Sequence, residues 1–414
     1  ASQRGRWVHG AGTAPPPAPM LKLHRDLSTW ALDRSILSPS LEIAHTDHGL
    51  GLRTRVPVAH GEVLVNASSL ALTAARALAL RPDIADLLEP HDDVEPHVAL
   101  AVWLMRAVES TQEFHDPWLR ALPRTLDCTL LWSPSELALL QSSAAARKAR
   151  HAIRWSEEEA ARIFRWSAPV PSELAAFRWA LCAVWSRSFH VAAEPGAPLV
   201  RVLAPIADLP NHAHPHAPTA ERDKAGTLVL RAARALDAGE AVELDYGGRP
   251  NAELLTTHGF ALADAPHEEV ELELAPAEGD ALGALKARIL REGNITAPYA
   301  LSLLALRTDS ELLLALRVLS ATAAELPHYA KAFHGEPLSD DGEARWRALL
   351  RARVEGLLAA AESATTAADD EALMEALPER KGRAWAALAT RHGEKRLLRD
   401  ALEELGRERV AVPG

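Results

Sequence analysis

Hydrophobic and polar positions alternate strictly in two separated parts of the chain and follow a helical period elsewhere. Leu41-Glu42-Ile43-Ala44 alternates, Gly49–Thr54 leaves a glycine turn as a strand, and Val63-Leu64-Val65 follows the turn Val56–Glu62. A second set of strands is predicted at Leu199–Leu203, Thr227–Leu230 and Ala241–Leu244, the last two joined by the turn Asp237-Ala238-Gly239-Glu240. Glu269–Leu274 alternates as an edge strand would. From Thr73 to Phe189 the pattern is helical. Val98–Val108 is apolar nearly all round, which predicts a buried helix, and Glu173–Phe189 carries Phe177, Trp179, Leu181, Val184 and Trp185 on one helix. Ser133-Pro134-Ser135-Glu136 predicts a helix start, with Ser133 as N-cap and Glu136 closing a capping box.

The ends differ from the middle. Ala14–Pro19 is too proline-rich for helix, so residues 1–23 are expected to be a flexible tail, and Asp26–Arg34 a short helix with Trp30 and Leu32 inward. Beyond Pro276 helices are expected at Asp280–Glu292, Ala297–Arg307, Ser310–Ala324, Asp341–Ala361, Asp369–Glu375 and Ala384–Glu404. The expected layout is an α+β protein with a split β-rich core. Residues 24–75 and 176–265 form the two halves of the core, 76–175 a helical insert, and 266–414 an all-helical C-terminal domain.

Composition narrows the chemistry. The 414 residues carry a formal charge of −11, which argues against non-specific binding to nucleic acid or membrane surfaces. No uncharged apolar run is long enough to span a bilayer. Cys128 and Cys182 lie in apolar surroundings at no metal-binding spacing and read as reduced core thiols of a cytoplasmic protein, an organellar or nuclear site remaining open. The histidines His212, His214 and His216 alternate near Asp208, yet Pro215 restricts them, so no metal site is assigned.

The chemistry-bearing segments are Ala204–His212, ending in Asp208-Leu209-Pro210-Asn211-His212, and Gly239–Gly247, ending in Asp245-Tyr246-Gly247. With His48-Gly49-Leu50-Gly51, Gly61-Glu62-Val63-Leu64, Asp116-Pro117-Trp118-Leu119, Ser186-Arg187-Ser188-Phe189 and Gly393–Leu398, they resemble in order the SET-domain protein methyltransferases of the Rubisco large-subunit methyltransferase class. The resemblance implies S-adenosylmethionine as methyl donor, with His48, Gly49, Leu50, Arg187, Asn211 and His212 around it. It implies Tyr246 as the catalytic phenol. Ser186, Arg187, Phe189, Asp208, Tyr246 and His258 would line the acceptor channel, the carbonyls of Ser186 and Asp208 flanking the methyl. Arg187 suits a carboxylate because a guanidinium offers paired donors.

The expected function is methylation of a lysine on a partner protein by a monomeric enzyme. A lysine must first lose its proton, which an apolar channel beside a sulfonium favours. His258 stands where the plant enzymes of the class have a second tyrosine, and Pro210 where they have a branched apolar residue. These departures leave two alternatives: a protein-histidine methyltransferase on the same scaffold, and an inactive module that only binds proteins.

Overall fold

The computed structural model describes residues 18–46, 49–67, 69–91, 93–109, 115–166, 170–192, 196–213, 220–222 and 227–407. The fold mixes helix and sheet, as expected. Packing divides the chain into two compact units: 1–126 with 159–247, and 127–158 with 248–414. This division cuts through the expected helical insert, placing 127–158 with the C-terminal residues, and it ends the first unit at Gly247 rather than near 265.

Among the described residues the first unit holds nine strands: β1 Leu41–Thr46, β2 Gly49–Thr54, β3 Val63–Asn66, β4 Ser188–Ala192, β5 Leu199–Leu203, β6 Asn211–His212, β7 Ala220–Arg222, β8 Leu228–Arg231 and β9 Ala241–Leu244. They form a four-stranded sheet in the order β1-β2-β9-β6, a three-stranded sheet β3-β8-β7 and the pair β4-β5. The two separated strand sets thus share sheets: β2 from the early set pairs with β9 from the late one, Leu52 opposite Val242. Helix Pro96–Ala107 is buried from Val98 through Met105, Trp103 completely, and packs against helix Pro171–Arg187. Within Ala18–Asp33 Trp30 faces in, but Leu32 is 36% exposed, against expectation. That helix also begins at Ala18, inside the expected tail, because a proline in the first turn forfeits no intrahelical bond.

The second unit pairs β10 Val270–Leu272 with β11 Tyr299–Leu301. A helix was expected at Ala297–Arg307. Pro298 pushes the residue before it out of the helical region, and Tyr299 and Leu301 then bury together on one face of a strand while Ala300 stays exposed. Helices Glu311–Ser320, Asp340–Ala361 and Gly382–Gly406 pack around Leu316, Trp346, Leu350 and Leu398. The capping box at Ser133 is formed as expected, the side chains of Ser133 and Glu136 each taking the other's backbone N–H.

Helix Gly382–Gly406 carries buried charge. Asp370 accepts from Arg391 and, at 2.7 Å, from Lys395. Glu394 accepts the backbone N–H of Ala144 at 3.0 Å with both oxygens and so caps the helix beginning there. Its neighbour Glu268 takes the N–H of Asn251 at 3.3 Å, while its Oε2 is buried without a partner. Burial and mutual repulsion push the Glu268 carboxyl up to about 8; burial raises Glu394 to about 7. A carboxyl raised by folding contributes stability that is complete below its unfolded value near 4.5 and is lost as pH rises through the folded one. Glu268→Gln keeps the shape without the charge. The variant is expected to match the wild type at about pH 5 and to exceed it by roughly 1–2 kcal/mol at about pH 8.5, as read by urea unfolding at both values. An unchanged difference across that range would remove Glu268 as the source.

Candidate active site

Helix Pro171–Arg187 stops at Arg187 because Ser188 is extended (φ −93°, ψ 149°) and opens β4. Helical pattern predicted two more residues. The early stop hands Arg187 to the sheet edge at a helix C-terminus, where positive charge is favoured. The Ser186 hydroxyl turns back to the Cys182 carbonyl at 2.8 Å, and Phe189, half-buried, pairs with Val202.

The chain then makes a tight excursion at 204–210. Ile206, fully buried, sits at φ 73°, a left-handed conformation that a β-branched residue adopts only when packing compels it. The excursion turns the Asp208 carboxylate inward. It receives Arg187 Nη1 at 3.0 Å and Trp118 Nε1 at 3.1 and 3.3 Å, and its side chain has no exposed surface. The Asp208 carbonyl also accepts from Arg187 Nη1, at 3.3 Å. Arg187 Nε remains buried with no hydrogen-bond partner among the described residues.

From Pro210 the chain enters β6, which runs parallel to β9 with Asn211 opposite Glu243 and His212 opposite Leu244. This register brings Tyr246, just past β9, beside His212. The Tyr246 N–H donates to His212 Nδ1 at 3.2 Å, the two rings lie 5.0 Å apart, and the phenol donates to the Pro210 carbonyl at 3.0 Å. His212 Nδ1, as acceptor, carries no proton, which fixes the tautomer of the neutral ring. Burial pushes the Tyr246 phenol up to about 12, with Arg187 pulling it down and Asp208 pushing it up. It is therefore a neutral hydroxyl throughout the physiological range.

Asn211 Nδ2 donates to Thr46 Oγ1 at 3.0 Å, and that hydroxyl donates to the Gly49 carbonyl at 3.0 Å. Gly49 (φ 102°) starts β2 in a conformation open to glycine. A Cβ on Gly51 would lie 2.8 Å from Thr46 Cγ2 and 3.0 Å from Asn211 Nδ2. The glycine turn and the Asn-His segment are thus tied side to side in one sheet.

Of the residues singled out from sequence, Gly49, Leu50, Ser186, Arg187, Phe189, Asp208, Asn211, His212 and Tyr246 all belong to the first unit. His48 lies outside the described residues, as do His214 and His216. Among the described residues no three His, Cys, Asp or Glu side chains are placed to hold a metal. His258 belongs to the second unit, at the end of the π-helical turn Leu254–His258, with Nδ1 2.7 Å from Thr257 Oγ1 and its ring edge-on to Phe260. Trp118 and Thr46 had no role in the sequence reading. Trp118 stood inside a quoted motif, but its partner lies far along the chain and no local period marks it.

Comparison with known proteins bears on the fold and on the C-terminal residues. Residues 277–398 match the family described as Rubisco LSMT substrate-binding. The SET domain of LSMT bound to lysine and AdoHcy superposes with a TM-score of 0.76 at 20% identity, covering 94% of this chain and 92% of that one. Rubisco LSMT bound to AdoMet gives 0.74 at 20% identity, covering 93% and 91%. The chain has the fold of the Rubisco LSMT SET-domain structures. Relatives include the actin-histidine N-methyltransferase of Gallus gallus, 25% identical over 93% of this chain and 68% of the relative. The Rattus norvegicus enzyme of that name is 26% identical over the same shares. The human one is 27% identical over 74% of this chain and 55% of the relative.

The chain is an S-adenosylmethionine-dependent protein methyltransferase, and the binding-only alternative falls. The residues present fit the donor: among the described residues Arg187 Nε is a buried donor without a partner, suited to an anionic group. Among the described residues no helix is long and apolar enough to cross a membrane.

Tyr246→Phe removes the hydroxyl and leaves the His212 contact to backbone. It is expected to lower turnover by at least about a hundredfold while donor affinity stays within threefold, measured by single-turnover kinetics and calorimetry. Gly51→Ala drives a methyl into Thr46 and Asn211. Donor affinity is expected to fall by tenfold or more, and an unaltered Kd would show that the strand edge does not meet the donor.

Proposed function

We propose that the chain methylates a histidine side chain of a partner protein. The reading that the residues first favoured, a lysine acceptor, gives way to its alternative on one observation: the relatives that align with 93% of this chain are named actin-histidine N-methyltransferases. Actin is therefore the first partner to assay. Arg187, Asn211, His212, Gly49 and Leu50 are the residues we assign to the donor, with Arg187 on its carboxylate. Tyr246 is assigned to the acceptor, with Phe189 as a further wall of its channel.

The donor supplies a methyl group on a cationic sulfur; the protein's own part is to align a nitrogen lone pair with it. Alignment of reacting groups is worth roughly 7–11 kcal/mol in favourable cases, so positioning dominates. The Tyr246 hydroxyl commits its hydrogen to the Pro210 carbonyl, which presents the phenol oxygen as an acceptor. An imidazole N–H held by that oxygen has its tautomer fixed, and the other ring nitrogen keeps its lone pair for the methyl. No base is required before transfer, since a free imidazole is mostly neutral at pH 7. After transfer the ring holds one extra proton, which passes to solvent.

The pH profile separates the two acceptors. With histidine, the single-turnover rate is expected to rise through about pH 6.5 and level off above about 7.5, because Tyr246 does not titrate there. With lysine it would keep rising toward about pH 10. The decisive measurement is mass spectrometry of actin and of a cell lysate after incubation with labelled donor. Methyl on a histidine ring supports the proposal, and methyl confined to lysine ammonium groups refutes it.

A further inference from the structure

We infer that Asp208 and Trp118 are positioning residues for the donor's carboxylate, acting through Arg187. The inference rests on the assignment of Arg187 to that carboxylate and goes beyond it. The guanidinium has two edges capable of paired donation. One end, Nη1, is occupied by Asp208, through the carboxylate at 3.0 Å and the carbonyl at 3.3 Å. The side-on edge contains Nε, which is buried with no partner among the described residues. A buried N–H of a charged group is costly to leave unmet, so this edge calls for an anion that the chain does not provide.

Asp208 could not hold this geometry alone. A carboxylate with one partner rotates, and Arg187 would rotate with it. Trp118 Nε1 donates to both oxygens of Asp208, at 3.1 and 3.3 Å, and Trp118 is itself only 1% exposed. The indole locks the carboxylate plane, the carboxylate locks the guanidinium, and the guanidinium keeps its side-on edge turned away from both. Ile206, strained at φ 73°, sets the depth at which Asp208 enters this stack. The Asp208 side chain is thereby reassigned from the acceptor channel to the donor pocket.

Asp208→Asn keeps the size and loses the charge. Trp118→Phe keeps the packing and loses the N–H. Two probes read them by calorimetry: sinefungin, which carries the amino-acid carboxylate, and methylthioadenosine, which lacks it. Asp208→Asn is expected to weaken sinefungin at least tenfold, and Trp118→Phe three- to tenfold, with methylthioadenosine within twofold of wild type for both. Retained methylthioadenosine binding also reports that the variant is folded, and Trp118→Phe serves where Asp208→Asn does not fold. In an Arg187→Ala background, Asp208→Asn should add nothing. Unchanged sinefungin affinity, equal losses on both probes, or additive losses in the double variant would each overturn the positioning role. Failure of the wild type to bind sinefungin would instead overturn the donor assignment beneath it.

Discussion

The parallel pairing of Asn211-His212 with Glu243-Leu244 is the constraint on which the site depends. Two residues of strand are enough because both ends are pinned. Downstream, the Ala213 N–H reaches the Leu244 carbonyl at 3.1 Å; upstream, the Tyr246 phenol holds the Pro210 carbonyl. The same register delivers His212 Nδ1 to the Tyr246 N–H. A slip of one residue would reverse the faces of Asn211 and His212 and break all three contacts. Asn211, His212 and Tyr246 are therefore set by one sheet register rather than by separately ordered loops.

Around that sheet, charge is handled by enclosure. Asp208 and Arg187 form a buried pair, and such a pair earns little net stability, because desolvation offsets attraction. Its use is geometric: it fixes where a guanidinium edge points. The Tyr246 phenol, pushed up to about 12 by burial, stays neutral beside it, so an oriented cation and a neutral hydroxyl stand together.

Much of the fold was legible in the chain. Alternation located β1, β2, β5, β8 and β9 to within a residue or two, because strand period is a local property of side-chain facing. Apolar character on all sides marked Pro96–Ala107 as buried. The errors have local causes too. Phe189 continued a helical pattern that extended backbone at Ser188 cuts short. Tyr299–Leu301 was hidden inside an apolar run because three residues of strand carry too little period to be told from helix.

The residue types at the site, their order, and the turn chemistry of Gly49 and Gly51 were written in the sequence by itself. It also showed that acidic bulk charge and a split strand pattern accompany them. Only the tertiary structure decided the partners: that Asp208 answers to Arg187 and Trp118, that Asn211 answers to Thr46, and that Pro210 offers its carbonyl to Tyr246. These bonds join positions separated by 21, 90, 165 and 36 residues. Periodicity records which way a side chain faces within its own element. It holds no trace of what another element will bring to meet it.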